Sequence, residues 1–387
     1  MRTPLAWKNL THDRRRLALA LGGIGFAVLL MCMQLSFASA LFESTVALIR
    51  RFDADLVITN PAKYTIIVRE TFKRRLMVRA GECPAVASAT PLYIETQLSV
   101  VTNASGEGVP IRVLAFAPDD RALKLPEFNE HLVELRQPFN ALFDRRSKPS
   151  YDVKLPPQGQ TLKLADDIVE LVGGFTLGTD FANDGNLIVD SATYLKLFPL
   201  RASGDDGLDD VDVGLIKVKP GMGSVDDAKR QLQEILPDDE ATVFTKEEFA
   251  RQEGAFWANA TPIGYIFGLG TIMGFIVGIV ICYQILYADI ADHLAEFATL
   301  KAMGYPNGYF VGVVLQEAVL LSVLGFVPGL AASELVCSLV ADRTGLLVHV
   351  TQPIAWEVLG LSVAMCVTSG WMTMRKVMSA DPAELFR

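Results

Sequence analysis

Four long stretches almost free of charge, one near the N-terminus and three crowded into the last third, constrain this 387-residue chain more than any other feature. Crossing a hydrocarbon core of about 30 Å takes about 20 apolar residues in a helix, because a backbone amide in lipid must find its partner within the segment. Leu17–Phe42 and Gly254–Ala288 carry no charge at all. The third stretch, Tyr309–Ala332, holds one acid, Glu317, and the fourth, Ile354–Met374, holds Glu357 near its start. Transmembrane helices are therefore expected at about 17–42, 262–288, 309–335 and 354–374, with a soluble domain over 43–255. Composition agrees: at 51% hydrophobic and 20% charged, the chain is too apolar for a soluble globule and too charged for a buried bundle alone.

Arg14, Arg15 and Arg16 stand immediately before the first span, with Arg2 and Lys8 further back, against Glu43 just after it. The positive-inside rule then puts the N-terminus (1–16) in the cytoplasm. Four spans return the C-terminal segment 375–387 to the same side, where Arg375 and Lys376 follow the last apolar residue. A cleaved signal peptide ending at Ala38-Ser39-Ala40 is the rival reading, but such signals use a shorter apolar core of roughly 7–15 residues.

The net charge of −9 sits wholly in the external segment, since residues 43–253 hold 25 Lys and Arg against 34 Asp and Glu. That argues against a nucleic-acid partner, which needs a basic face. Of the five cysteines only Cys83 lies neither in nor beside an apolar stretch, so no disulfide is expected in the external domain. His12, His131, His293 and His349 are scattered, no His or Cys pair has metal-ligand spacing, and no metal or other cofactor is expected.

Along the external segment, Ser44–Phe52 keeps a helical pattern and carries the first helix out of the membrane. Asp55–Thr59 reads as a strand ended by Asn60-Pro61, Glu70–Arg79 as a helix, and Tyr93–Val101 and Val109–Phe116 as strands split by the turn Asn103–Gly108. The Pro-, Asp- and Gly-rich middle, with strands at Asp167–Val172 and Asn186–Val189, reads as an inserted subdomain. Val213–Val218 is a strand, Val225–Leu236 a helix and Ala241–Phe244 another strand. Thr245 with Glu248 has capping-box form and opens a helix expected to run on into the second span. The domain would thus hang from two helices that leave the bilayer.

Gly270, Gly274 and Gly278, at four-residue spacing, let two helices approach closely, which in lipid is a main source of association. The partner is either another subunit or a helix of the same chain. Glu317, beside Gln316 and about 12 Å into its span at 1.5 Å per residue, is a functional candidate as an intramembrane carboxylate. A proton relay and a hydrogen-bonded packing residue are the two readings, and no span offers a basic partner. The loop 289–306 is amphipathic, with Leu294, Phe297, Leu300 and Met303 on one side and Asp292, Glu296 and Lys301 elsewhere; Gly304 can cap it. It suits either docking a partner protein or simply joining two spans. The acidic run Asp205, Asp206, Asp209, Asp210 and Asp212 lacks calcium-loop spacing and reads as a solvated linker.

The sequence has no Gly-x-x-x-x-Gly-Lys-Ser/Thr loop, no Gly-x-Ser-x-Gly elbow and no His-Glu-x-x-His. If ATP drives this protein, another subunit binds it. A membrane-anchored enzyme is disfavoured, because the external domain shows no catalytic constellation.

The layout of one span, a large external domain and three spans resembles, over the full length, the MacB/FtsX-like permeases of ABC transporters (type VII), and within them the DevC type. The segments that carry the DevC resemblance are Asn140–Pro149, Val169–Asn186, Gly214–Gly221, Glu296–Tyr305, Gln316–Pro328 and Asp381–Arg387. The resemblance implies an α-helical membrane protein with four transmembrane helices and a large α+β periplasmic domain, a MacB-like porter part with an insertion at about 119–210. It implies a permease that is not itself an enzyme and sits in the inner membrane as a homodimer, with a separate ATP-binding subunit. It also implies a coupling helix within 289–306, where Glu296, Leu300, Lys301 and Gly304 would meet that ATPase. DevC-type members look like the inner-membrane part of a tripartite efflux pump, with a periplasmic adaptor and an outer-membrane duct, exporting glycolipids or related membrane lipids. The alternative within the family is FtsX-like mechanotransmission to a peptidoglycan hydrolase.

Overall fold

A computed structural model describes residues 14–293, 299, 303–344 and 348–379. The chain divides into two units: a helical one that includes the first helix up to Ala40 and the helices from Pro262 onward, and an α+β domain over Leu41–Thr261.

The helical unit is built from α1 (Arg14–Arg51), α6 (Pro262–Asp292), α7 (Asn307–Thr344) and α8 (Gln352–Ser379), numbering helices through the whole chain. All four are long and apolar enough to cross a membrane, over Leu17–Arg51, Gly264–Asp292, Gly308–Ala341 and Gln352–Lys376. Helix α1 continues without a break to Arg51, as the pattern of Ser44–Phe52 predicts. Pro328 lies inside α7.

The domain is organised by one eleven-stranded sheet. Its strands are β1 (Leu56–Thr59), β3 (Val86–Glu95), β4 (Val100–Thr102), β5 (Gly108–Pro110), β6 (Arg112–Phe116), β7 (Asn140–Asp144), β8 (Gln160–Leu164), β9 (Asp167–Phe175), β10 (Asn186–Asp190), β12 (Val213–Val218) and β13 (Thr242–Thr245). The spatial order is β13-β1-β12-β3-β6-β10-β7-β9-β8-β4-β5; β2 (Phe72–Lys73) and β11 (Asp210–Val211) pair separately. The sheet is mixed: β10 runs parallel to β6, and β7 parallel to β9.

Alternation along the central strands sends side chains to opposite faces, and both faces are buried. Leu56, Ile58, Val113, Ala115, Leu187, Val189 and Ile216 enter one core. Val57, Leu114, Phe116, Leu142, Ile188, Val213 and Leu215 enter the other. The first core is covered by α2 (Arg75–Gly81), through Leu76, Met77 and Ala80, by α3 (Ser191–Leu197), through Tyr194 and Leu197, and by α4 (Val225–Ile235), through Ala228 and Leu232. The second is covered by the last turns of α1, through Leu48, Ile49 and Phe52, and by Phe249 of α5 (Lys246–Asn259). Helices α4 and α5 each open with a reciprocal capping box, Ser224 with Asp227 and Thr245 with Glu248.

Four differences from the sequence reading have physical causes. The segment expected as an inserted subdomain forms no sheet of its own: β7 to β10 extend the main sheet from β6, whose edge would otherwise be left unpaired. The expected helix at Glu70–Arg79 is shorter, Arg75–Gly81, because Phe72 and Lys73 pair with Val211 and Asp210. The acidic run is correspondingly no solvated linker: Lys73 meets Asp209 and Asp210 at 3.2 and 2.8 Å, and Arg74 meets Asp206. Finally, the helix from Thr245 does not run into the second span. It ends at Asn259, and α6 starts afresh at Pro262, which lacks the N–H a continuous helix needs and disfavours helical geometry at Thr261.

Candidate functional site

The residues expected to work within the membrane lie on α6 and α7. A Cβ on Gly270 would fall 2.5 Å from Gln34 Cδ, and one on Gly274 would fall 3.2 Å from Met31 Cγ and 3.4 Å from Leu30 Cβ. On Gly278 it would meet Met365 and, at 3.0 Å, Ala27. The ridge therefore packs against the chain's own α1 and α8, the intrachain one of the two readings the spacing allowed. A second close approach went unread in the sequence. A Cβ on Gly329 would lie 2.7 Å from Gly25 O, and one on Gly325 would lie 2.6 Å from Ile24 Cγ2, so α7 packs on another side of α1. Helix α1 is gripped by small-residue seams from two neighbours. Ser369 of α8 adds a hydrogen bond to Ile279 O of α6 at 2.9 Å.

Glu317 is buried and Gln316, one position along α7, is exposed. Of the residues expected to couple to an ATPase, Glu296, Leu300 and Lys301 lie outside the described residues, as does the tail Asp381–Arg387. Gly304 is described and has φ +92°, the left-handed backbone that a helix-ending glycine adopts.

In the domain, functional interest centres on α5, the helix that leads to α6. Its buried residues are Phe249, Glu253 and Trp257, spaced by four on one face. Glu253 is 1% exposed. Its Oε2 accepts the Ile66 N–H at 2.8 Å, and its Oε1 accepts the Thr65 hydroxyl at 3.1 Å and the Trp257 indole N–H at 2.9 Å. Burial pushes this carboxyl above its ordinary 4.5, with Asp180 adding to the rise and the three donors opposing it. One side chain thus clamps α5 to the loop between β1 and β2. Lys63 stiffens that loop from within, donating to Val68 O at 2.5 Å and Glu70 O at 3.3 Å.

The same end of α5 meets the end of α1. Phe249 shares a core with Leu48, Ile49 and Phe52, Lys246 Nζ donates to Phe52 O at 3.0 Å, and a Cβ on Gly254 would sit 3.9 Å from Val46 Cγ1. Helix α5 and the domain part of α1 are therefore fastened to each other inside the domain.

Two buried charge networks lie within the domain. Arg201 donates to Asp212 at 2.7 Å and lies 3.2 Å from Glu95, all three nearly inaccessible. Arg112 pairs with Asp180 at 2.5 Å and donates to Asn186 at 2.8 Å, while Asn186 donates to Asp144 at 2.7 Å. Asp144 also accepts the N–H groups of Leu177 and Gly178. This second network joins the segments Asn140–Pro149 and Val169–Asn186.

None of Glu253, Arg201 or Asp212 was singled out from the sequence for these roles. A signal for Glu253 was present: an acid midway between Phe249 and Trp257 in an i, i+4, i+8 stripe must be buried and therefore bonded. No local signal joins Arg201 to Glu95. Among the described residues no group of three or more His, Cys, Asp or Glu could hold a metal ion, and all five cysteines are free and buried.

Residues 265–382 match the family model described as the FtsX-like permease C-terminal domain. No curated protein matches the sequence significantly. Among solved structures, the chain is similar to the periplasmic region of MacB from Actinobacillus actinomycetemcomitans, at 12% identity and TM-score 0.37 over 52% of this chain and 94% of that one. It is also similar to the extracellular domain of the noncanonic ABC-type transporter YknZ from Gram-positive bacteria, at 10% identity and TM-score 0.34 over 50% and 99%. A domain of a putative permease from Porphyromonas gingivalis gives 16% identity and TM-score 0.32 over 49% and 87%.

Proposed function

Since residues 265–382 match the FtsX-like permease C-terminal family model, we propose that the chain is a MacB/FtsX-like permease of ABC transporters, the membrane subunit of an exporter that turns ATP-driven motion of its helices into movement of its soluble domain. ATP is bound by a separate subunit, which docks on the loop 289–306 through Glu296, Leu300, Lys301 and Gly304, and the working unit is a homodimer. The domain lies on the periplasmic side of the inner membrane, with both termini cytoplasmic. The cargo is a glycolipid or related lipid, passed through a periplasmic adaptor to an outer-membrane duct, as the DevC-like segments imply.

The observation that carries this reading is the way the domain is hung. Helix α1 runs unbroken from the first span into the domain core, and α5 is clamped to the same core beside it by Glu253 and Phe249. In this reading a displacement of the first span would reach the sheet through α1. The sequence offers no phosphate-binding loop of its own, which fits a division of labour with an ATPase.

Purification from native membranes in mild detergent, with identification of what accompanies the chain, tests the reading. An ATP-binding subunit with a periplasmic adaptor supports the exporter. An ATP-binding subunit with a wall hydrolase makes the protein a mechanical switch of the FtsX kind instead. For the docking loop, Glu296→Ala and Leu300→Asp are expected to leave insertion intact while uncoupling ATP hydrolysis from transport. Unchanged coupling in both would remove the docking assignment.

A further inference from the structure

Four aromatic rings gather where α5 ends. Tyr64 lies 5.2 Å from Phe256, Phe256 5.7 Å from Trp257 and Trp257 5.3 Å from Phe181, centroid to centroid. Trp257 is buried behind the others, while Tyr64 and Phe181 are 52% and 51% exposed. The exposed pair comes from two loops distant in sequence, 60–71 and 176–185.

Neither loop is loose. The first is tied down by Glu253 and Lys63. In the second, Asp180 accepts the N–H groups of Ala182 and Asn183 at 2.9 and 2.8 Å and is itself paired with buried Arg112. The fold thus spends ion pairs and buried hydrogen bonds on holding two large rings outward, where each exposes apolar area to water at an unfavourable cost. That cost disappears if the rings face something other than water.

What they face follows from the chain. Trp257 precedes the membrane-spanning part of α6, which begins at Gly264, by so few residues that full extension spans only about 25 Å, and the last turn of α5 shortens this further. Aromatic rings with a polar edge concentrate at that depth of a bilayer, the headgroup level. We propose that Tyr64 and Phe181, backed by Phe256 and Trp257, form a lipid-contact surface resting in the headgroup region of the leaflet that faces the domain. Two rigid loops act as feet, and the bilayer surface is their occupant. This inference needs only the membrane span of α6 and stands apart from the identity of the cargo.

The test places a nitroxide on Phe181→Cys and, separately, on Tyr64→Cys of the full-length protein. Labelling is selective because the native cysteines are all buried. In vesicles of phosphatidylethanolamine and phosphatidylglycerol, collisions with oxygen and with a water-soluble nickel chelate are compared with those of a label at Asn103→Cys, in the β4–β5 turn. Both sites are expected to favour oxygen over nickel several-fold more than the reference does. Reference-like values at both sites overturn the proposal. So does protection that arises only in native membranes containing other proteins, which would make the occupant a protein. Phe181→Trp supplies a second reading that needs no label: its added fluorescence should be quenched by phospholipids brominated near the headgroup, and lack of quenching counts equally against the surface.

Discussion

At the scale of the residue, Glu253 concentrates the most consequence in one side chain. Its carboxyl is raised by burial, so the folded domain holds the proton more tightly than the unfolded chain does. By linkage, its contribution to stability is greatest below the ordinary 4.5 and is lost as pH rises through the raised value. Glu253→Gln removes that titration and leaves one oxygen where two accept, stranding a buried donor at about 1–3 kcal/mol. Thermal unfolding against pH is expected to show the variant less stable throughout, with the gap to wild type widening toward acid. A gap that narrows toward acid would refute this account. Residues of this kind were only half legible. Phe249 and Trp257 announce a buried stripe, but which donors meet the acid between them depends on Thr65 and Ile66, far away in sequence.

At the scale of the element, legibility followed locality. The spans, the β12 strand and the Thr245 capping box depend on neighbours a few residues away and could be read directly. Strand β7, in the interior of the sheet, could not: Asn140–Asp144 is short, sits beside basic and proline-rich sequence, and is a strand because β9 and β10 flank it. The glycine ridge shows the same limit, since spacing reveals a seam but not its occupant. With Met31 and Leu30 already against it, Gly274→Leu should force α1 aside and destabilise the helical unit by about 1–3 kcal/mol. The expected result is a lower unfolding temperature of the permease in detergent. Normal stability combined with lost crosslinking between subunits would return the ridge to a dimer role.

At the scale of the whole molecule, the two routes from membrane to domain differ in kind. One is a single helix, α1; the other is interrupted at Ala260 and Thr261, between α5 and α6. A continuous helix transmits tilt and rotation, whereas a break transmits position while releasing angle. If work is done by sliding α5 against α1, a crosslink between Val46→Cys and Gly254→Cys, whose positions face one another, should abolish coupled transport and leave ATP hydrolysis running. Transport that survives the crosslink would mean that the two move as one piece.

The position of β1 has a bearing on how such a protein is made. It lies between β12 and β13, so the strand nearest the first span pairs only with strands from the far end of the domain. Such non-local pairing is slow, and loop closure must precede any gain from it. During synthesis β3 to β10 can pair among themselves as they emerge, whereas β1 waits with both edges unpaired until β12 and β13 are made, open to misassociation. Biogenesis of this subunit should lean on whatever folding factors wait on that side, and their depletion should reduce its yield more than that of permeases whose soluble parts are built from local hairpins.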